Sequence, residues 1–143
     1  MKIKRNKLDE IFSNVVREAY NWTCQCCGKE SIKGVNGMMD AAHNFSRRHK
    51  FTRYDPRNVV CLCRSCHMRM TADPDEHVTF MKKHFGENYG LMRAIAKTGI
   101  DKLYASDIAA IEKHYKTVLE DMKSLRLMGE MKTLDIPVPD VLL

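Results

Sequence analysis

The sequence predicts an α+β fold built as one domain. Three observations carry that expectation. All six cysteines fall in two knots, and each knot holds a Cys-x-x-Cys pair, Cys24/Cys27 and Cys63/Cys66. Two short apolar runs, one from Val35 to Ala42 and one through Val59, Val60 and Leu62, precede the second pair. Apolar residues recur at helical spacing on both sides of this unit. A chain of 143 residues can bury a real core without needing metal or disulfides merely to fold. At 44% hydrophobic and 29% charged residues, wholesale disorder and fibrous composition are excluded.

The elements follow in order. Lys2, Lys4, Arg5 and Lys7 make a basic N-terminal arm, expected to fray. Leu8, Ile11, Phe12, Val15, Val16 and Ala19 predict an amphipathic helix over 8–20. Residues 21–37 are turn-rich, with Gly28, Gly34, Asn36 and Gly37. A short strand is expected from Val35 to Ala42, an exposed polar loop over 44–57, and a second strand around Val59 to Leu62. A helix is expected to begin near His67 and stop before Pro74. Asp73-Pro74-Asp75-Glu76 then opens a helix running to about Phe85, because it supplies an N-cap, Pro at the first position and acids in the first turn. Residues 88–97 form another helix, and Ser106 is the expected cap of a long one over 107–128. The stripe Ile108, Ile111, Tyr115, Val118, Met122 and Leu125 on that helix suits core packing or a homodimer seam. Pro137 and Pro139 keep the tail, 129–143, from being helical. The organisation is therefore an arm and helix (1–20), a central core (21–73), a helical extension (74–128) and a tail.

Zinc prefers four tetrahedral thiolates, and a two-residue gap lets two sulfurs of one turn reach one ion. Cys24, Cys27, Cys63 and Cys66 are thus the candidate ligands of a structural Zn²⁺ that staples about 35 intervening residues. A closed four-thiolate site has no open position and would not be catalytic. Cys26 and Cys61 are left as buried hydrophobes or as an alternative Cys-x-Cys pairing. Trp22 and Phe45 are expected to cover the knuckle.

The chain carries 24 basic and 18 acidic side chains, a net +6. Residues 41–70 hold Arg47, Arg48, Lys50, Arg53, Arg57, Arg64 and Arg69 against one acid, Asp55, so the whole excess lies in that stretch. A local patch of this kind suits a polyanion. A solubilising loop is the plainer alternative.

Between and just after the cysteine pairs lie Asp40-Ala41-Ala42-His43, Asn58 and His67. With CQCCGK, MMDAAHNFSRR, RYDPRNVV and CLCRSCH, this order over 24–67 resembles the HNH nucleases of ββα-metal fold. HNFSRR and TRYDPRNVVCLCRSCH, followed by AIAKTGIDKLYASDIAAIEKHYKTVLEDM, resemble more closely the NinG/Rap family of phage recombination nucleases, over about residues 22–125. That family often has Asn after the last cysteine, where this chain has His67; either side chain can ligate a divalent metal.

The resemblance implies a metal-dependent DNA endonuclease acting on branched intermediates such as Holliday junctions and D-loops. It implies His43 as general base and Asp40 and His67 as ligands of Mg²⁺ or Mn²⁺, a choice that a similarity to phage endonuclease VII supports. Asn58 would hold the loop or orient His43 by a hydrogen bond. Arg47, Arg48, Lys50, Arg53 and Arg57 are candidate DNA contacts, since guanidinium forks match phosphate oxygens. Each residue also has a plainer role. Asp40 could pair with a nearby Arg, Asn58 could brace a turn after Pro56, and His67 could neighbour the zinc. His77, His84 and His114 are expected to be packed or surface residues without function. The competing functions are a non-catalytic zinc-dependent DNA-binding protein and, more remotely, a homing or restriction-type HNH enzyme. Neither a secretory h-region nor a membrane-spanning run is visible, so a cytoplasmic location is expected, the host cytoplasm if the chain is phage-encoded.

Overall fold

A computed structural model describes residues 3–35, 37–99 and 102–143. Lys2 of the expected arm, Asn36 of the turn-rich segment and first strand, and Ile100 and Asp101 of the extension lie outside the described residues. The fold is mixed α+β: α1 (Lys7–Ala19), β1 (Met39–His43), α2 (Lys50–Arg53), a 3-10 turn (Pro56–Asn58), β2 (Val59–Cys63), α3 (Arg64–Ala72), α4 (Pro74–Phe85), α5 (Glu87–Lys97), α6 (Ala105–Leu127) and a last 3-10 turn (Asp140–Leu142).

Helix α1 starts at a capping box in which Asn6 Oδ1 accepts from the Asp9 amide and Asp9 Oδ2 accepts from the Asn6 amide, each at 2.8 Å. Its apolar face, Leu8, Phe12, Val15, Val16 and Ala19, is buried. It packs on α6, with the Phe12 and Tyr115 rings 4.8 Å apart. Ile111, Tyr115, Val118 and Met122 are buried in that contact, so the stripe on α6 is core and is not left over as a dimer seam; Leu125 alone of the stripe is exposed.

Strands β1 and β2 pair antiparallel, from Met39 opposite Cys63 to His43 opposite Val59. All five residues of β2 are buried, which is why Val-Val-Cys-Leu-Cys is apolar throughout instead of alternating. Helices α1 and α3 both pack on this sheet. A lone two-strand ribbon would be marginal in water, so these helices hold it.

Five expectations need correction. The basic arm does not fray along its described part: the Ile3 and Lys4 carbonyls accept from Arg47 and Arg53, and Arg5 donates to Ser13 Oγ. Residues 44–57 are not a solvated loop, because they contain α2 and bury Thr52, Tyr54 and Asp55. Helix α3 begins three residues before His67, since the Cys63 sulfur caps it by accepting from the Cys66 amide. Ser106 is not the cap of α6; Asp107 accepts from the Tyr104 amide at 2.9 Å and moves the start upstream. The first strand runs from Met39 to His43 and does not begin at Val35. The tail is irregular through Pro139, as its prolines imply, and it is docked: the Leu134 amide donates to the Ala19 carbonyl, and Leu142 is buried. The Asp73 cap and Pro74 start of α4 lie where the sequence puts them. Among the described residues, no helix is long and apolar enough to cross a membrane.

Candidate metal centre and adjoining cleft

The first cysteine pair sits on a turn. The Cys24 amide donates to the Lys29 carbonyl, the Gly28 amide to the Cys24 carbonyl, and Gly28 takes the positive φ of +78° that the reversal needs. The second pair spans the end of β2 and the first turn of α3. The ligand atoms of Cys24, Cys27, Cys63 and Cys66 all lie within 4.8 Å of one another. Cys27 Sγ and Cys63 Sγ are 3.8 Å apart. That is the edge of a tetrahedron with metal–sulfur bonds of about 2.3 Å, for which the edge is about 3.8 Å. A disulfide would need sulfurs in bonding contact, and all six cysteines are free.

The thiols also push one another's acidities apart. Burial raises the Cys24 thiol, but backbone amides around Cys27 and Cys63 outweigh it and bring it down to about 7, whereas burial and its sulfur neighbours push Cys66 up. A cation is what lets four such sulfurs be thiolates together. The four cysteines are positioned to bind a metal ion and are compatible with structural zinc. Cys61 is a buried hydrophobe, its thiol pushed up to about 12 by burial. Cys26 lies outside the cluster and accepts from Arg69 at 3.4 Å. Trp22 is buried and donates from Nε1 to Glu18, while Phe45 packs on the Tyr89 ring of α5.

The cysteine cluster joins the 24–28 turn to the β2–α3 junction, β1 pairs with β2, and a cleft of about 640 Å³ opens beside β1 and α3. Asp40 of β1, His43 at its end and His67 of α3 all line it. Asp40 Oδ2 and His67 Nδ1 are 3.0 Å apart, and Arg64 Nη2 donates to Asp40 Oδ1 at 3.0 Å. The His67 hydrogen bond is the largest influence on Asp40 and, with Arg64, holds its carboxyl down to about 2 against burial. Asp40 therefore has the Arg partner of its plainer reading and a His67 neighbour as well. A separation of 3.0 Å also matches adjacent ligands on an octahedral ion with bonds of about 2.1 Å, which lie about 3.0 Å apart.

His43 Nε2 lies 2.8 Å from the Arg53 carbonyl oxygen. A carbonyl can only accept, so Nε2 carries the proton and Nδ1 keeps its lone pair. Burial pulls the imidazole down to about 4, more than the carbonyl raises it, so it is neutral near pH 7. Asn58 is fully buried and does not orient His43. Its Oδ1 accepts from the Phe45 amide at 2.9 Å, and its Nδ2 donates to the Phe45 and Thr52 carbonyls at 2.9 and 3.0 Å. The amide spends its bonds stitching residues 44–57 together, and that stitched segment presents the Arg53 carbonyl.

The arginines expected to grip phosphate are mostly engaged within the chain. Arg53 grips both oxygens of Asp9, with Nε at 2.9 Å from Oδ1. Arg47 lies 3.7 Å from Asp9, and Arg57 holds Asp55 through two nitrogens at 2.8 and 2.9 Å. Arg48 and Lys50 are exposed and pair with no acid among the described residues. Sequence reasoning missed Asp9, whose signal was the Asn6-x-x-Asp9 box. It also missed Arg5, Arg17 and Arg64 as cleft residues. His84 is packed among Phe80, Phe85 and Tyr20, and His114 bonds the Pro137 carbonyl. Compared with family models, curated proteins and solved structures, the chain matches none.

Proposed function

We propose that this chain is a metal-dependent DNA endonuclease of HNH type, with zinc in its four-cysteine centre and Mg²⁺ or Mn²⁺ at Asp40 and His67. The observation that carries the reading is the convergence of Asp40, His43 and His67 on one cleft, with the Asp40–His67 pair at ligand spacing. The ion would neutralise charge developing on the phosphate and its leaving oxygen. His43 takes the proton of the attacking water on Nδ1, because its Nε2 is committed to the Arg53 carbonyl. The water oxygen bonds to phosphorus, the phosphorus–oxygen bond to the leaving group breaks, and the leaving oxygen takes a proton from solvent. Arg64, 56% exposed, can leave Asp40 for a phosphate oxygen when an ion enters. Branched recombination intermediates are the substrate class supported by the motif resemblance over 22–125. A pair of chains cutting two strands of a junction would meet through a surface other than the covered α6 stripe.

The test is cleavage of linear, flap and four-way DNA with Mg²⁺ or Mn²⁺ and then with chelator. Product that requires the ion and favours branched DNA is expected. Binding without product under every condition would leave a zinc-stapled DNA-binding protein instead.

A further inference from the structure

Two cavities meet beside Asp40. The cleft above and a second one, of about 730 Å³ along α1, share four lining residues: Arg5, Arg17, Asp40 and Arg64. Three guanidiniums and Asp40 thus line the junction, and Arg64 engages Asp40; Glu10 and Glu18 line the second cavity as well, Glu18 lying within ion-pair distance of Lys33 and Arg126.

Arg17 is the unusual member. It is 8% exposed, its Nη2 donates only to the neutral Asn14 side chain at 2.7 Å, and its Nε has no partner. Among the described residues it forms no ion pair. Arg5 is held by one hydrogen bond, to the Ser13 hydroxyl at 3.2 Å. A guanidinium cannot escape burial by losing its proton. Asp40 and Glu10 act on Arg17 only beyond ion-pair distance, and a buried charge without a close counter-ion destabilises a fold unless an anion completes it. The Arg17 guanidinium carbon lies over the Trp22 ring, 5.3 Å from its centroid, a cation–π contact that supplies no hydrogen-bond acceptor. The N–H edge is the part that forks onto phosphate oxygens.

We propose that Arg17, with Arg5 and Arg64, seats a DNA backbone phosphate next to the one at Asp40 and His67. The strand then runs along α1 instead of over residues 44–57. This rests on the nuclease reading for its choice of anion. It also accounts for a cleft that stays basic although its own Asp9 pairs with Arg47 and Arg53.

The experiment is equilibrium binding of a labelled four-way DNA junction at several salt concentrations, without added divalent ion, beside cleavage by the parental chain. Arg17→Gln is expected to weaken binding roughly tenfold and flatten the log K against log salt slope by about one. Lys83→Gln on α4 serves as the control and leaves both unchanged. Because Arg17 is buried, zinc content and thermal unfolding report its fold, and Arg5→Gln on the arm is the second variant, with the same loss of slope expected. Parental affinity and slope in either folded variant overturns the seat, even where the parental chain cleaves. Loss of slope without metal-dependent product in the parental chain upholds the seat and removes the nuclease reading. No DNA binding by the parental chain removes both.

Discussion

His43 Nε2 and the Arg53 carbonyl oxygen are 2.8 Å apart, across ten residues of chain. One contact fixes the ring's orientation and its tautomer, and it depends on where residue 53 is held. Asp9 holds it by gripping the Arg53 guanidinium, while its own position comes from the capping box of α1. The amphipathic helix at the start of the chain therefore helps set the candidate base in a different element.

The tautomer can be tested directly. Nitrogen NMR of the His43 ring is expected to show the proton on Nε2 and a bare Nδ1. Replacing the ring in His43→Ala is expected to cut metal-dependent cleavage by about a hundredfold or more while DNA binding stays near parental. Parental cleavage in that variant would exclude His43 as the base.

Acid stability follows from the same ring. Its value falls from the ordinary 6.5 to about 4 because burial opposes the charged form. Between those limits the unfolded chain takes a proton that the folded chain refuses, so stability declines as pH drops from about 6.5 to 4. The effect amounts to at most about 3 kcal/mol. Asp40 works in a lower window, losing its contribution only as pH falls from about 4 toward 2. Urea unfolding across pH 4–7 is expected to show a shallower decline in His43→Gln than in the parental chain. Equal slopes would mean that the ring is not desolvated.

Asp9→Asn tests the linkage between α1 and the cleft. The variant keeps a side-chain acceptor for the Asn6 amide but loses the charge that Arg53 and Arg47 share. A carboxylate paired this way and mostly buried contributes about 1–3 kcal/mol. A lower melting temperature is expected, together with a larger loss in turnover than in substrate binding, because the displaced element carries the His43 acceptor. Unchanged turnover in a destabilised variant would make the pair structural only.

The sequence made some of this legible for physical reasons. Four thiols at Cys-x-x-Cys spacing announce their cluster because the ligand geometry is local within each pair. The apolar periodicities of α1 and α6 are local too. The pairing of Asp9 with Arg53 spans 44 residues, and nothing near either residue signals it. Counting charges along 41–70 could not show that Asp9, from outside that stretch, would pair with Arg47 and Arg53, leaving Arg48 and Lys50 exposed and without an acid among the described residues. Residues 44–57 look solvated because they are polar, yet Asn58 satisfies the buried backbone and lets the segment fold inward.

That role makes Asn58 a sensitive position. Truncation in Asn58→Ala removes the partner of the Phe45 amide and of the Phe45 and Thr52 carbonyls, the Thr52 bond buried and the two Phe45 bonds partly so. Each buried group left unpaired costs about 1–3 kcal/mol, so a loss of several kcal/mol is expected in denaturant unfolding. Amide exchange is expected to rise across residues 44–57 and much less in the turn at 24–28, which belongs to the four-cysteine cluster. Cleavage should fall with it, since the Arg53 carbonyl loses its support. Asn58→Asp can still accept from the Phe45 amide but cannot donate to either carbonyl, so it is expected to recover only part of the loss. Parental exchange rates over 44–57 in the alanine variant would show that α2 and Tyr54, not Asn58, hold the segment.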